Sequence, residues 1–339
     1  MTERAIHVGL LIASLAVTGW VFGAQHPHPH PHTRDPSSVV PSHSGPAALL
    51  ALIPPGSAFL LTADLQQLEH APLGVLLAQR LGHLGGANQL ASVCGFDPLA
   101  RLDQLVLAVP SAGLAAQEHP EDFGIVASGQ FTGAEITRCA SAVIKQRGGD
   151  PVTSQLGSFA SVRDRKTIGG ELAARDGGPL IVSGGSYLRE LIDAAEGNAA
   201  KPEREDTRAT RHAELRRDLG SGSVLATWLL GEGWFERVSG DGNARLSPLS
   251  TLESVGARLD VDPSAQLSVL LECADSAGAT RVSSLLNELR SSLDSLPLDP
   301  ALSGVAKRIT LSQSGARLKL ALELSQAELK PLLDQLLGP

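Results

Sequence analysis

The sequence predicts an α+β protein: two similar two-layer domains, each an antiparallel sheet with helices packed on one face, behind an N-terminal hydrophobic segment. Three observations lead there. Short segments of strand composition are punctuated by Gly and Pro along the chain from Leu49. Between them, other segments carry one apolar stripe at helical spacing. The order of these elements then runs through twice, either side of a polar, charged stretch at 199–219. Since each helix has one apolar stripe and each sheet one apolar face, helices on one side of a sheet bury both.

In order, Ser57–Leu65, Leu102–Pro110 and Phe123–Phe131 read as strands, with a short helix opened by Pro72 after the first. Thr132 and Glu135 form a capping box, each side chain satisfying a free backbone N–H. The helix behind it repeats Ile136, Cys139, Ala140, Val143 and Ile144, and stops at Gly148–Gly149. "QLGSFASVRD" and "GGELAARDGGPLIVSGG" read as Gly-punctuated strands, and "SYLRELIDAAEG" as a helix with Leu188, Leu191, Ile192 and Ala195 inward. In the second half Gly222–Leu230 resembles Gly56–Leu65, and "ESVGARLDVD" and "AQLSVLLECAD" stand where the second and third strands stood. A helix with Val282, Leu285, Leu286, Leu289 and Leu293 on one face follows. The next segment is a hairpin turning near Ser314–Gly315, where Leu318, Leu320, Leu322 and Leu324 alternate with Lys319, Ala321 and Glu323. A final helix starts from the Ser325/Glu328 capping box, lined by Leu329, Leu332, Leu333, Leu336 and Leu337, with Pro331 predicting a kink or a later start. The expected organisation is therefore 1–24 signal or anchor, 25–48 spacer, 49–198 first domain, 199–219 charged linker or connecting helix, and 220–339 second domain.

Composition narrows the function. With 339 residues the chain accommodates roughly two domains, and 42% apolar against 19% charged residues describes a folded body. Aromatics at 3% leave few platforms for stacking bases, and a net charge of −8 opposes a phosphate-gripping stripe, so nucleic acid is not an expected partner. The basic groups Arg163, Arg165 and Lys166 are interrupted by Asp164. Arg208, Arg211, Arg216 and Arg217 lie among acids, as on a solvated helix or linker. Among the three cysteines, Cys94, Cys139 and Cys273, no spacing matches a zinc or redox motif. Cys139 reads as a buried thiol, and a Cys94–Cys139 disulfide is open to the chain if it is exported.

Residues 1–24 have the polar start and apolar run of a secretory signal. Ala5–Ala24 is also just long enough for an uncleaved anchor, with Trp20 suited to the interface. Both readings put the body outside the cytoplasm and confine membrane contact to this segment. The tract after it alternates His26, His28, His30 and His32 with proline. Imidazoles ligate zinc, copper and nickel. In a polyproline II helix, however, successive members of this set diverge by about 120°, and His26 and His32, which share a face, stand roughly 19 Å apart. The four are candidate metal ligands for weak, adaptable binding on what is mainly a stiff spacer.

No nucleophile elbow, P-loop, H-E-x-x-H or C-x-x-C occurs. "SGGSY" (Ser183–Tyr187) reads as a helix start with Ser186 as N-cap. "EHPED" (Glu118–Asp122) reads as a solvated loop, although His119 with Glu121 or Asp122 could do acid–base work in a hydrolase. "SGDGN" (Ser239–Asn243) has turn composition without the remaining acids of a calcium loop. The run "PPGSAFLLTADLQQL … APLGVLL … CGFDPLARLDQLVLAV … DFGIVASGQF" resembles uncharacterised exported proteins of bacteria such as myxobacteria. That resemblance covers about the first half of the body and implies export and a duplicated α+β body, but no activity. The expectation is a non-enzymatic cell-envelope protein, exported or anchored facing the periplasm, needing no cofactor and meeting an envelope protein or ligand. An envelope hydrolase and a weak metal buffer are the alternatives.

Overall fold

The computed structural model describes residues 46–71, 74, 87–110, 123–167, 170–184, 186–198, 206–239, 244–295, 304–305, 307–325 and 327–329. In chain order the elements are α1 (Pro46–Leu50), β1 (Ser57–Asp64), α2 (Leu65–His70), α3 (Ala87–Cys94), β2 (Leu102–Pro110), β3 (Gly124–Gly129) and α4 (Gly133–Gln146). They continue with β4 (Pro151–Leu156), β5 (Phe159–Asp164), β6 (Glu171–Ala174), β7 (Leu180–Ser183), α5 (Tyr187–Ala195) and α6 (Thr207–Leu219). Then come β8 (Val224–Leu229), α7 (Trp234–Ser239), a 3-10 segment (Ala244–Thr251), β9 (Leu252–Asp260), β10 (Ala265–Cys273), α8 (Ser276–Ser295), β11 (Thr310–Ser314) and β12 (Arg317–Leu324).

Among the described residues all twelve strands belong to one sheet, in the order β11-β12-β10-β9-β8-β1-β2-β3-β7-β6-β5-β4, and every neighbouring pair is antiparallel. The protein is thus α+β with a large antiparallel sheet. The sheet does not stop at 199–219. It crosses between the halves at β1–β8, in a register that sets Leu60 opposite Thr227 and Thr62 opposite Leu225.

Helices cover both faces, which corrects the expectation of helices on one face. Leu60, Val106, Ala108, Val126 and Ile181 point to one side, where α1 and α5 close over them with Leu49, Leu188, Leu191 and Ile192. The alternate residues Ala63, Leu105, Leu107 and Ala127 point to the other side and pack with Leu65 and Leu68 of α2 and with Leu99. The reason lies in the central strands. "FLLTA" and "LVLAV" are continuous apolar runs, and a strand buried on both faces has no polar set to give to water. Outer strands keep the alternation: Leu318 and Leu324 of β12 are buried while Lys319 and Glu323 are exposed. There α8 covers one side with Val282, on Leu271 and Leu318.

Local signals fix the element ends. Thr132 and Glu135 form the predicted capping box of α4. At Ser325 half of the predicted box forms: Glu328 accepts from both the backbone N–H (2.9 Å) and the hydroxyl (2.6 Å), while its own N–H donates to the Ser325 carbonyl at 3.1 Å. Two further expectations differ. Ser186 lies in the helical region and makes no side-chain cap hydrogen bond. Cys139 is not a free thiol: it is disulfide-bonded to Cys94, joining α4 to α3 with Cα atoms 4.5 Å apart. Cys273 is free and buried, and burial pushes its thiol pKa up.

Gly129 shows how closely β3 and the β2 entry approach. A Cβ there would stand 2.3 Å from the Arg101 carbonyl oxygen, which itself accepts from Gln130 N–H at 2.8 Å. Backbone cannot swing away as a side chain can. Gly129→Ala is expected to destabilise by about 1–3 kcal/mol, read as a lower denaturant midpoint.

Candidate functional site

None of the sequence-predicted site residues can be placed. His26, His28, His30 and His32 lie outside the described residues, as do Glu118, His119, Glu121 and Asp122. Among the described residues no cluster of three or more His, Cys, Asp or Glu could hold a metal ion, and no helix is long and apolar enough to cross a membrane. Among the described residues, buried polar groups gather under α6, where the two halves of the sheet meet.

Although its composition reads as solvated, α6 packs on β8, β9 and β1. Its stripe is His212, Leu215 and Leu219, all buried. Leu215 and Leu219 pack on Leu225 and Leu270. Asp206 caps the helix, one oxygen accepting from Arg208 N–H and the other from Gly56 N–H, both at 3.0 Å. The cap therefore also ties α6 to the residue before β1.

His212 spans the junction. Nε2 lies 3.1 Å from the Ser57 carbonyl of the first half, and Nδ1 lies 2.7 Å from Thr227 Oγ1 of the second. A carbonyl only accepts, so Nε2 carries the proton; in the neutral ring Nδ1 then accepts from the Thr227 hydroxyl. Burial is the main cause pulling the imidazole below its ordinary 6.5, and Arg216 adds to it. The Ser57 hydroxyl lies 3.4 Å from the Tyr187 phenol, which burial pushes up to about 12. One helical turn on, Arg216 donates to Thr62 Oγ1 at 2.9 Å. Burial brings its pKa down to about 10.

A second polar cluster pins the other flank of α6. Buried Glu272 receives Arg211 at 3.0 Å on one oxygen and Arg317 at 2.7 Å on the other. Ser254 donates to it at 2.5 Å, and Arg317 also holds Asp218 of α6 at 2.7 Å. Both nitrogens of His212 and both oxygens of Glu272 are thus engaged. The arrangement suits holding a helix across a sheet junction. Acid–base chemistry at His212 would first have to break a joint of the fold.

The seam makes stability depend on pH. The folded state keeps His212 neutral with a depressed pKa, while the unfolded chain takes up a proton near 6.5. Below that pH the unfolded state binds more protons, so the contribution is complete above 6.5 and lost as pH falls toward the folded value. Stability of the parent chain is expected to fall as pH is lowered through this window, less so in His212→Gln; equal slopes in denaturant titrations would contradict this.

Sequence reading missed the seam because His212 is isolated in sequence and α6 is dense with charge. The available signal was the i, i+3, i+7 spacing of His212, Leu215 and Leu219.

No family model and no curated protein sequence matches the chain. Among solved structures it is similar to TP0453. Crystal form III superposes with a TM-score of 0.47 at 10% identity, covering 85% of this chain and 98% of that one. Form IV gives 0.47 at 10% identity, over 86% and 96%. Form I gives 0.44 at 10% identity, over 84% and 96%.

Proposed function

We propose that the chain is an exported cell-envelope protein with a non-enzymatic role in binding, scaffolding or assembly, its body duplicated from one strand–strand–strand–helix–hairpin unit. The observation that carries the export reading is the Cys94–Cys139 bond. Disulfides persist in oxidising compartments and are rare in the cytosol. The N-terminal apolar run of residues 8–23 supports the same location.

Matched details support the duplication. Thr132 caps α4 by accepting from Glu135 N–H at 3.1 Å, and Asp275 does so for α8 by accepting from Gly278 N–H at 2.6 Å. In α4, Thr137 bonds back to Gly133 O at 2.9 Å and Ser141 to Thr137 O at 2.8 Å. In α8, Thr280 bonds to Ser276 O at 2.9 Å and Ser284 to Thr280 O at 3.0 Å, at the same spacing from the helix start. In the hairpins that follow, Gln155 donates to Gly157 O and Gln313 to Gly315 O, at 3.1 and 3.3 Å. Both glycines have φ +58°. The segment β6–β7–α5 is an addition to the first copy.

Protease added to spheroplasts of a Gram-negative host expressing the full-length chain tests the location. The body is expected to be cleaved while cytoplasmic markers stay intact; protection of the body until the inner membrane is lysed contradicts the proposal. Substrate turnover by the purified chain, abolished by a point mutation, would contradict the non-enzymatic part.

A further inference from the structure

We infer that the open edge of β4 is an interaction surface for β4 of a second copy of this chain, paired antiparallel about Ser154. β4 ends the sheet. Open strand edges are normally blocked by charge, proline, bulges or a covering element. β4 reads Pro-Val-Thr-Ser-Gln-Leu, without a charged residue, and its register with β5 runs unbroken from Pro151–Asp164 to Leu156–Phe159. Among the described residues no strand pairs with its outer side.

Which backbone groups face outward follows from the ladder. Arg165 N–H donates to Asp150 O at 2.9 Å, so even-numbered residues bond inward to β5 and Pro151, Thr153 and Gln155 face out. Proline at the outward position leaves no donor unpaired. Thr153, Ser154 and Gln155 are all exposed.

The strand is complementary to itself. Antiparallel pairing with Ser154 on the two-fold axis sets Thr153 opposite Gln155 of the other copy, and Gln155 opposite Thr153. Each of these two pairs exchanges two backbone hydrogen bonds. On the other face Val152 meets Leu156 twice, giving apolar cross-strand pairs beside the axis. An isologous contact puts each residue against its own kind of surface, and a neutral strand meets no like charge there. The chain uses the same kind of joint internally, at the antiparallel β1–β8 pair between its halves.

The test is sedimentation of the full-length chain through a dilution series, in a mild detergent that keeps its N-terminus soluble. The expected result is a reversible dimer that Thr153→Pro abolishes and Thr153→Val retains. Thr153→Pro removes an outward N–H and no bond to β5, so its melting temperature should stay near that of the parent. If that variant does not fold, Thr153→Lys, which adds like charges beside the axis, should weaken the dimer and high salt should partly restore it. A monomer at every concentration, a dimer indifferent to both substitutions, or open-ended oligomers would each overturn the inference.

Discussion

Replacing Cys94 and Cys139 together by alanine is expected to cost about 4 kcal/mol of folding stability. The bond closes a loop with a sequence separation of 45, and a cross-link over that length removes roughly 4 kcal/mol of chain entropy from the unfolded state near room temperature. It joins α3 to α4, and α4 packs on β4, β5 and β6. Its loss should therefore loosen α3 first. Urea unfolding of the oxidised parent and the double variant measures the cost, and hydrogen exchange over residues 87–94 should rise before that of β2. A cost below about 1 kcal/mol would mean the unfolded chain is already held compact there.

Removing Arg211 and Arg317 together is expected to be of similar size, about 3–5 kcal/mol, because it leaves a buried carboxylate without a countercharge. Glu272 is only 3% exposed, and Ser254 would be its one remaining partner among those described above. The reverse change is milder. Both arginine side chains are partly exposed, at 37% and 44%, so after Glu272→Gln they can turn to solvent. Glu272→Gln made in the double-arginine background should restore much of the loss. That rescue, measured as a double-mutant cycle in urea, separates charge burial from lost packing. Without rescue, the arginine stems rather than their charges hold α6 to the sheet.

Much of the fold was legible because local chemistry decides it. Strands β2, β9 and β10, the α4 capping box and the β11–β12 hairpin follow from apolar runs, paired capping residues and a glycine turn, all short-range signals. What was illegible depends on partners distant in sequence. Continuous apolar runs in β1 and β2 imply cover on both faces, but that cover comes from α1, α2 and α5. The crossing at β1–β8 joins residues far apart in the chain and leaves no local trace. α6 read as a charged linker or a solvated connecting helix because seven of its thirteen residues, from Arg208 to Asp218, are Arg, His, Glu or Asp. Three of these, His212, Arg211 and Arg216, turn inward to Thr227, Glu272 and Thr62. The Cys94–Cys139 pair was only one possibility until the helices carrying it were placed side by side.

The export reading is tested most directly by the thiol state of the chain in living cells. Cells expressing the full-length protein would be quenched in acid, denatured, and alkylated before and after reduction. The account predicts one thiol alkylated before reduction, Cys273, with Cys94 and Cys139 modified only afterwards. Three thiols alkylated without reduction would contradict it, placing the chain in a reducing compartment and removing the observation on which the proposed function rests.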